Sequence, residues 1–350
     1  MTSVSTEWGG VELEGAALGG VELGDVTDAV ADLETALRRH RGELVGYCYR
    51  MLGSSFDAED AVQETLVRAW RGHDKFEGRS ALRFWLYRIA TNVCLDMVSG
   101  RSRRARPMDL SASAWQPVES SLVARQPENT WLEPILDAQV SNAGSDPADQ
   151  AIERESIRLA FVAALQYLPP RQRAVLILRE VLRWKADEVA TLMDTSVASV
   201  NSALQRARAT LGDRGVSSSD AFDPLDADQQ ELLARYVEAF ERYDVGTLVE
   251  LLHEDATQNM PPFEMWLQGS ADIVAWMLGP GRECSGSRFV TTVANGAPAV
   301  AQYRPSGPGG LHEPFSLIVL DIVDGRIAGT TNFLDTALFP LLGLPAHPDE

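Results

Sequence analysis

Residues 189–211, VATLMDTSVASVNSALQRARATL, constrain the fold more than any other stretch. Two short helical patterns are separated by only Asp194, Thr195 and Ser196, and the second carries Val200, Leu204, Ala207 and Leu211 at steps of four, three and four. That spacing gathers the four on one helix face, which a tight turn folds back on the helix before it. Thr195 or Ser196 can cap the second helix by accepting an orphan backbone N–H. Thr195 in the turn, and Ser199, Asn201, Ser202, Gln205, Arg206 and Arg208 on the remaining circumference, carry side chains that bond base edges and phosphates. The stretch reads as a helix-turn-helix that enters a major groove, and equally well as an ordinary amphipathic pair.

Charge tips that balance. The chain has 350 residues and a formal net charge of −19, which on its face argues against nucleic acid. By segment the sign alternates: residues 36–106 are basic by six and 150–215 by three, whereas 1–35, 107–149 and 216–350 are acidic by eight, six and fourteen. Two basic blocks set between acidic ones suggest nucleic-acid contact by the basic blocks. Cys48, Cys94 and Cys284 stand far apart with no CxxC spacing. That argues against a disulfide framework and a metal site, and for buried thiols in a reducing compartment. No cofactor motif is found. No apolar run reaches the ~20 residues of a membrane span, and the N-terminus lacks a signal-peptide pattern, so a cytoplasmic protein is expected.

Along the chain, residues 1–30 are acidic and Gly-rich, repeat GGVEL, and read as disordered. Residues 31–106 read as helices. The stretch DAEDAVQETLVRAWR (57–71) is expected to start with Asp57 as its cap, to turn Ala58, Ala61, Val62, Thr65, Leu66, Ala69 and Trp70 inward, and to leave Asp60, Gln63 and Glu64 near solvent. A loop at 72–80 with Lys75, Phe76 and Arg79 leads into a helix where Arg83, Arg88 and Asn92 interleave with Phe84, Trp85 and Tyr87. Basic plus aromatic composition grips backbone and stacks unpaired bases, although Trp85 fits a core position better. Residues 107–150, rich in proline, read as a linker with one docked segment near 131–140. Residues 151–214 are helical again, with the helix-turn-helix at 186–211, and 215–227 form a second linker. From 228 to 345 two amphipathic helices precede four strand-like runs: helices first, then a curved antiparallel sheet, an α+β pattern.

The sequences at 57–71 and 76–96 resemble regions 2.2 to 2.4 of extracytoplasmic-function sigma factors. LPPRQRAVLILREVL with the helix-turn-helix resembles their region 4, and the tail resembles a SnoaL-like cone-shaped domain. Together these point to the SigG-like group that carries such a tail. The resemblance implies a multidomain chain: two all-α sigma domains (a region 2 helical bundle and a region 4 helix-turn-helix) followed by an α+β SnoaL-like domain. It implies that Asp57, Asp60, Ala61, Val62, Gln63 and Glu64 dock on RNA polymerase core, whose β′ clamp and β flap are the expected contacts. It assigns Lys75, Phe76, Arg79, Arg83, Arg88 and Asn92 to melting and capture of single-stranded promoter DNA at the −10 element. Thr195, Ser199, Asn201, Ser202, Gln205, Arg206 and Arg208 are assigned to the double-stranded −35 element. It also implies a regulatory contact to the linker at Asn295–Gly296, which by sequence alone is simply a turn. The linker is longer than in minimal relatives, and the chain implies no separate anti-sigma factor.

Three readings of the tail compete: a built-in regulator, a small-molecule pocket, and an enzyme using His253, Asp255 and Asp321 as acid–base groups. Core or pocket lining is expected of Met260, Phe263, Met265, Trp266 and Trp276, and catalysis is the least favoured. The alternative function for the whole chain is a one-component DNA-binding regulator whose tail senses a ligand; the 57–71 helix, for which such a regulator has no use, argues against it.

Overall fold

The structure is a computed structural model that describes residues 23–72, 81–123, 125–140, 147–212, 223 and 226–349. The expected disordered stretch therefore lies mostly outside the described residues, and its last part, from Leu23, is already helix. The −10 candidates Lys75, Phe76 and Arg79 lie outside them as well. By contacts the chain divides into Met1–His40 and Arg41–Glu350; everything below concerns the second unit.

The first helical module is built from the end of α1 (Leu23–Leu52), α2 (Ser55–Gly72) and α3 (Leu82–Val98). Leu44, Tyr47, Cys48, Met51, Ala58, Val62, Leu86, Ala90 and Cys94 form its core. Gly53, at φ +70°, turns the chain between α1 and α2, a conformation in which a side chain is strained. Ser54, not Asp57, caps α2: the Asp57 N–H donates to Ser54 Oγ at 3.0 Å, which places Asp57 inside the first turn. Trp70, expected inward, is 50% exposed. The buried stripe is one residue narrower than the apolar pattern, and Ala69 supplies the inward position of that turn.

The linker is a strap rather than a free tether. Single helical turns at α4 (Pro107–Leu110) and α5 (Asp137–Val140) punctuate it. Trp131, Leu132, Ile135, Leu136 and Val140 are buried, as the docked segment predicts. Docking extends further back: the Trp115 N–H donates to Trp266 O at 2.8 Å and the Gln126 N–H to Pro262 O at 3.1 Å, both on the tail.

The second helical module comprises α6 (Pro147–Ile157), α7 (Leu159–Leu165), α8 (Pro170–Leu176) running on into a wide turn at Ile177–Val181, α9 (Ala186–Leu192) and α10 (Val197–Gly212). The amphipathic run ESIRLAFVAALQYL (155–168) reads as one helix. It breaks at Arg158, whose ψ of 139° is extended. Val200, Leu204 and Ala207 are buried on α9 and α8, as their spacing requires.

In the tail, α11 (Ala227–Glu241) and α12 (Val245–Leu251) lead into β1 (Leu252–Asn259), β2 (Trp266–Gln268), α13 (Ser270–Leu278), β3 (Arg288–Ala294), β4 (Ala297–Arg304), β5 (Glu313–Val323), β6 (Arg326–Phe333) and α14 (Leu338–Leu342). The sheet order is β2-β1-β6-β5-β4-β3. It is mixed, because β1 pairs parallel with β6 while the other pairings are antiparallel. The four expected strands are β3–β6. β1 carries no apolar alternation to mark it as a strand, since the polar run His253-Glu254-Asp255 lies within it.

One sheet face, with Val300, Ile318, Leu320 and Ile322, packs on α11–α13. The other, with Ala297, Ala299, Ala301, Leu317, Val319 and Phe333, takes Leu136 of the linker, Leu159 of α7 and α14, with Phe56 of α2 packed against it. β4 is buried on both faces, which is why it reads as a continuous apolar run, and its alanines admit the close approach of the other segments.

Candidate nucleic-acid and polymerase interfaces

On α2, Asp60, Gln63 and Glu64 are exposed, whereas Ala61 and Val62 are fully buried. Two of the residues expected on a partner surface therefore support that surface from beneath. Asp57 is also engaged: Arg104 Nη2 donates to its Oδ2 at 2.8 Å and Arg101 Nη1 at 3.1 Å. Glu133 of the linker reaches the same helix start, accepting from Ser54 Oγ at 2.5 Å and, more weakly, from the Phe56 N–H at 3.4 Å. A carboxylate at a helix N-terminus meets orphan N–H groups and the positive end of the helix dipole. Arg104 Nη1 holds the other Glu133 oxygen at 3.1 Å. Burial nonetheless pushes the Glu133 carboxyl up from its ordinary range.

On α3, Arg88 and Asn92 are exposed, on a cleft whose far wall is Arg171, Met193 and Asp194 of the second module. Arg83 is not available. Its guanidinium carbon sits 5.2 Å from the Tyr87 ring and 5.5 Å from the Trp184 ring, while Nε donates to Glu43 Oε2 at 2.7 Å. Of the aromatics, Tyr87 is buried and Phe84 stacks on Trp184, with centroids 5.8 Å apart. Cation–π and stacking contacts thus fasten the second module against the start of α3. Arg173 of α8 fastens the same junction: it is buried and donates to Met51 O at the end of α1, to Gln166 Oε1 at 2.7 Å, and to Gln166 O and Leu168 O at 3.1 and 3.2 Å. A guanidinium on the last carbonyls of a helix satisfies acceptors the helix itself leaves open.

The helix-turn-helix presents its polar side as the sequence predicts. Thr195, Ser199, Asn201, Ser202, Gln205, Arg206 and Arg208 are all exposed. Ser196 is the cap, accepting from the Ser199 N–H at 3.1 Å. Arg208 is paired at 2.5 Å with Glu180 across the module.

Asn295 and Gly296, the turn between β3 and β4, are buried, Asn295 at 1% exposure. Here four parts of the chain meet. Asn295 Nδ2 donates to Tyr49 OH of α1 at 2.6 Å and to the Ile157 carbonyl of α6 at 2.8 Å. Its Oδ1 accepts from the Ile135 N–H of the linker at 3.1 Å, and its own N–H donates to Ile135 O at 2.9 Å. The break between α6 and α7 follows, since the helix end gives its carbonyl to Asn295. The Gly296 N–H donates to Asp137 Oδ1 at 2.9 Å. Gly296 lies at φ +64°, and a Cβ there would stand 2.4 Å from the Arg154 carbonyl oxygen, so only glycine fits.

Burial pushes the Asp137 carboxyl up to about 6, against the opposing pull of the Gly296 N–H and of Arg154 and Arg158. An acid raised on folding lowers stability while ionised, and the penalty lifts as pH falls through the folded value toward the ordinary one. From about 6 against an ordinary ~3.9 the penalty is roughly 3 kcal/mol. The thermal midpoint of Asp137→Asn is therefore expected to exceed that of the parent at pH 8 and to change less between pH 7 and 5. Parallel pH profiles of the two midpoints would contradict this.

The tail's acid–base candidates do not converge. His253 and Asp255 sit on β1, the Asp255 N–H 3.3 Å from His253 Nδ1. Asp321 shares the β5 face of Leu317 and Val319, where burial raises its carboxyl and Arg158 and Arg106 oppose the shift. The tail's cavity, about 150 Å³, opens on the opposite face and is lined by none of the three. Met260 and Trp276 line it, while Met265 lies in the core behind and Phe263 packs against that core. Leu122 of the linker closes one side, a contact the sequence did not suggest.

Residues 36–104 match the Sigma-70 region 2 family, 158–211 the Sigma-70 region 4 family, and 233–330 the SnoaL-like domain family. The chain is 47% identical over 317 residues to ECF RNA polymerase sigma factor SigG of Mycobacterium tuberculosis, covering 90% of this chain and 84% of that one. It belongs to the ECF RNA polymerase sigma factors. Within the family it is also 29% identical over 225 residues to the probable sigma factor SigI of the same organism, covering 63% of this chain and 67% of that one. The crystal structure of Mycobacterium tuberculosis sigma factor SigJ superposes with a TM-score of 0.55 at 23% identity, covering 91% of this chain and 99% of that one, which speaks to a shared fold. For an ECF sigma factor, a tail that bonds directly to both helical modules is the feature that separates the chain from two modules on a flexible tether.

Proposed function

We propose that this sigma factor binds core RNA polymerase through the exposed acidic side of α2 and reads promoter DNA with α3 and α10. On this reading the tail holds the pair of modules closed until it is released. The observation that carries it is the Asn295–Gly296 turn, bonded at once to α1, α6 and the linker. Promoter elements at a distance along one duplex are read by modules that separate, because two modules locked together hold α3 and α10 at one fixed spacing and angle. The closed arrangement engages Arg83 and sets Arg171, Met193 and Asp194 across a cleft from Arg88 and Asn92, which narrows the approach of unpaired bases to α3.

Asp60, Gln63 and Glu64 form the polymerase-facing patch, suited to a basic surface of the β′ clamp, with the β flap expected against the second module. Arg206 and Arg208 serve phosphates or guanine, and Thr195, Ser199, Asn201, Ser202 and Gln205 serve backbone and base edges. A cytoplasmic place of action, beside the polymerase, is part of this reading. The tail acts as a regulator rather than a catalyst, because its candidate acids and base lie apart from its cavity. A small, mostly apolar ligand in that cavity is a second reading, favoured by Leu122 of the linker in its wall.

Run-off transcription from the chain's own upstream DNA, with core polymerase and this protein, tests the function. Arg206→Ala is expected to cut transcription and weaken promoter binding by roughly tenfold or more, from the loss of about 1–3 kcal/mol of groove contact. Unchanged promoter affinity would remove α10 as the reader.

A further inference from the structure

A second cavity, of about 160 Å³, lies where the first module, the linker and the second module meet. Its lining includes Arg101, Arg103 and Arg104 just after α3, Asn129 of the linker, Arg173 of α8, and Asp57 as its acid. Four guanidiniums thus face one carboxylate, and Asp57 is already taken by Arg101 and Arg104. Arg103 stacks over the Tyr167 ring at 3.8 Å, which leaves its edge nitrogens as donors. Arg173 is buried, its terminal nitrogens are fully used, and its Nε–H has no acceptor. Burial draws its guanidinium down to about 10, so it stays charged at neutral pH. A buried donor without a partner is costly, and more so on a charged group. The acceptors of Arg173 are all neutral carbonyl or amide oxygens, so the cavity carries more positive charge than Asp57 offsets.

We propose that this cavity binds a small phosphate-bearing anion, of the size of a diphosphate group, held by Arg103 and Arg101 at its mouth and attracted by the charge of Arg173 in its wall. Two guanidinium forks side by side can share the several oxygens of a phosphate. The cavity is walled by Asn129 and the buried Arg173, so a free anion fits it better than a nucleic-acid backbone. An anion in a cavity that all three segments wall binds the closed arrangement more tightly than an open one and shifts the population toward it. That consequence rests on the closed reading above; the binding itself does not.

The test is calorimetric titration of the full chain with pyrophosphate at constant ionic strength, followed by amide hydrogen exchange. One saturable site is expected, weakened about tenfold or more in Arg103→Ala through loss of a charge-assisted donor, and unaffected in Arg235→Ala on α11. Arg103 is exposed, and Arg101→Gln, expected to weaken binding likewise, guards against a folding defect in either variant. Pyrophosphate is expected to slow exchange together at residues 101–104, 129–131 and 166–173. No saturable binding, parental affinity in both Arg103→Ala and Arg101→Gln, or slowing in one segment alone would overturn the proposal. So would protection of these amides by a short oligonucleotide but not by pyrophosphate, which would make a DNA backbone the source of the phosphate.

Discussion

Gly296→Val is expected to release the tail from the helical modules. Its Cβ would stand 2.4 Å from the Arg154 carbonyl oxygen, and φ +64° is a conformation that a β-branched residue strongly resists. The turn must swing away from α6 and the linker, and the Asn295 bonds to Tyr49, Ile157 and Ile135 go with it. Backbone strain and lost buried hydrogen bonds together amount to about 3 kcal/mol or more against docking. That energy corresponds to roughly a hundredfold rise in local opening. Amide exchange at Ile135 and Asn295 should accelerate by about that factor, while the amides of α8–α10 change little. Unaltered exchange at Ile135 would mean that the turn does not hold the linker.

Arg104→Ala is expected to damage the structure more broadly. Arg104 is buried and links the start of α2 to the linker, donating to Asp57 at 2.8 Å, Glu133 at 3.1 Å, the Trp131 carbonyl at 2.7 Å and the Glu128 carbonyl at 3.2 Å. Its removal leaves two largely buried carboxylates facing each other, of which Glu133 is already pushed toward protonation by burial. Breaking a buried ion pair from one side costs about 3–5 kcal/mol. A thermal midpoint lower by several degrees, partly restored by Glu133→Gln in the same chain, is the expected result. A midpoint within a degree of the parent would contradict the role given to this cluster.

Features set by local periodicity were legible in the sequence. The α10 face, the capped turn, α11 and the four strands β3–β6 all follow from spacing that short segments enforce on their own. The errors occur where distant residues decide. Ile157–Arg158 carries no glycine or proline to signal a break; the helix ends there because Asn295, 138 residues away, takes its carbonyl. β1 has a mostly polar sequence, and becomes a strand by pairing with β6, about 70 residues on. Trp70 completes an apolar stripe on paper, yet the core of the first module is already filled at that level by Ala69. Ala61 and Val62 belong to a segment read as a docking surface, but a helix that presents one face must bury the other.

The site residues divide in the same way. The exposed row on α10 could be read from its own helix. The engagement of Arg83 by Trp184, and of Asp57 by Arg104, could not, since each partner comes from another part of the chain. Asn295–Gly296 by itself signals only a turn. Its four-way contact depends on where β3 and β4 carry it, against a linker whose burial pattern alone hinted at docking.

The most direct measurement is run-off transcription by core polymerase supplied with the parent chain or with Gly296→Val, on the same promoter at equal protein concentration. The account predicts transcripts with one start site from both, and several-fold more from Gly296→Val because its modules are free to separate. Equal or lower output from a Gly296→Val chain whose tail is shown by exchange to be released would contradict it, and would make the docked tail a requirement for initiation rather than a restraint upon it.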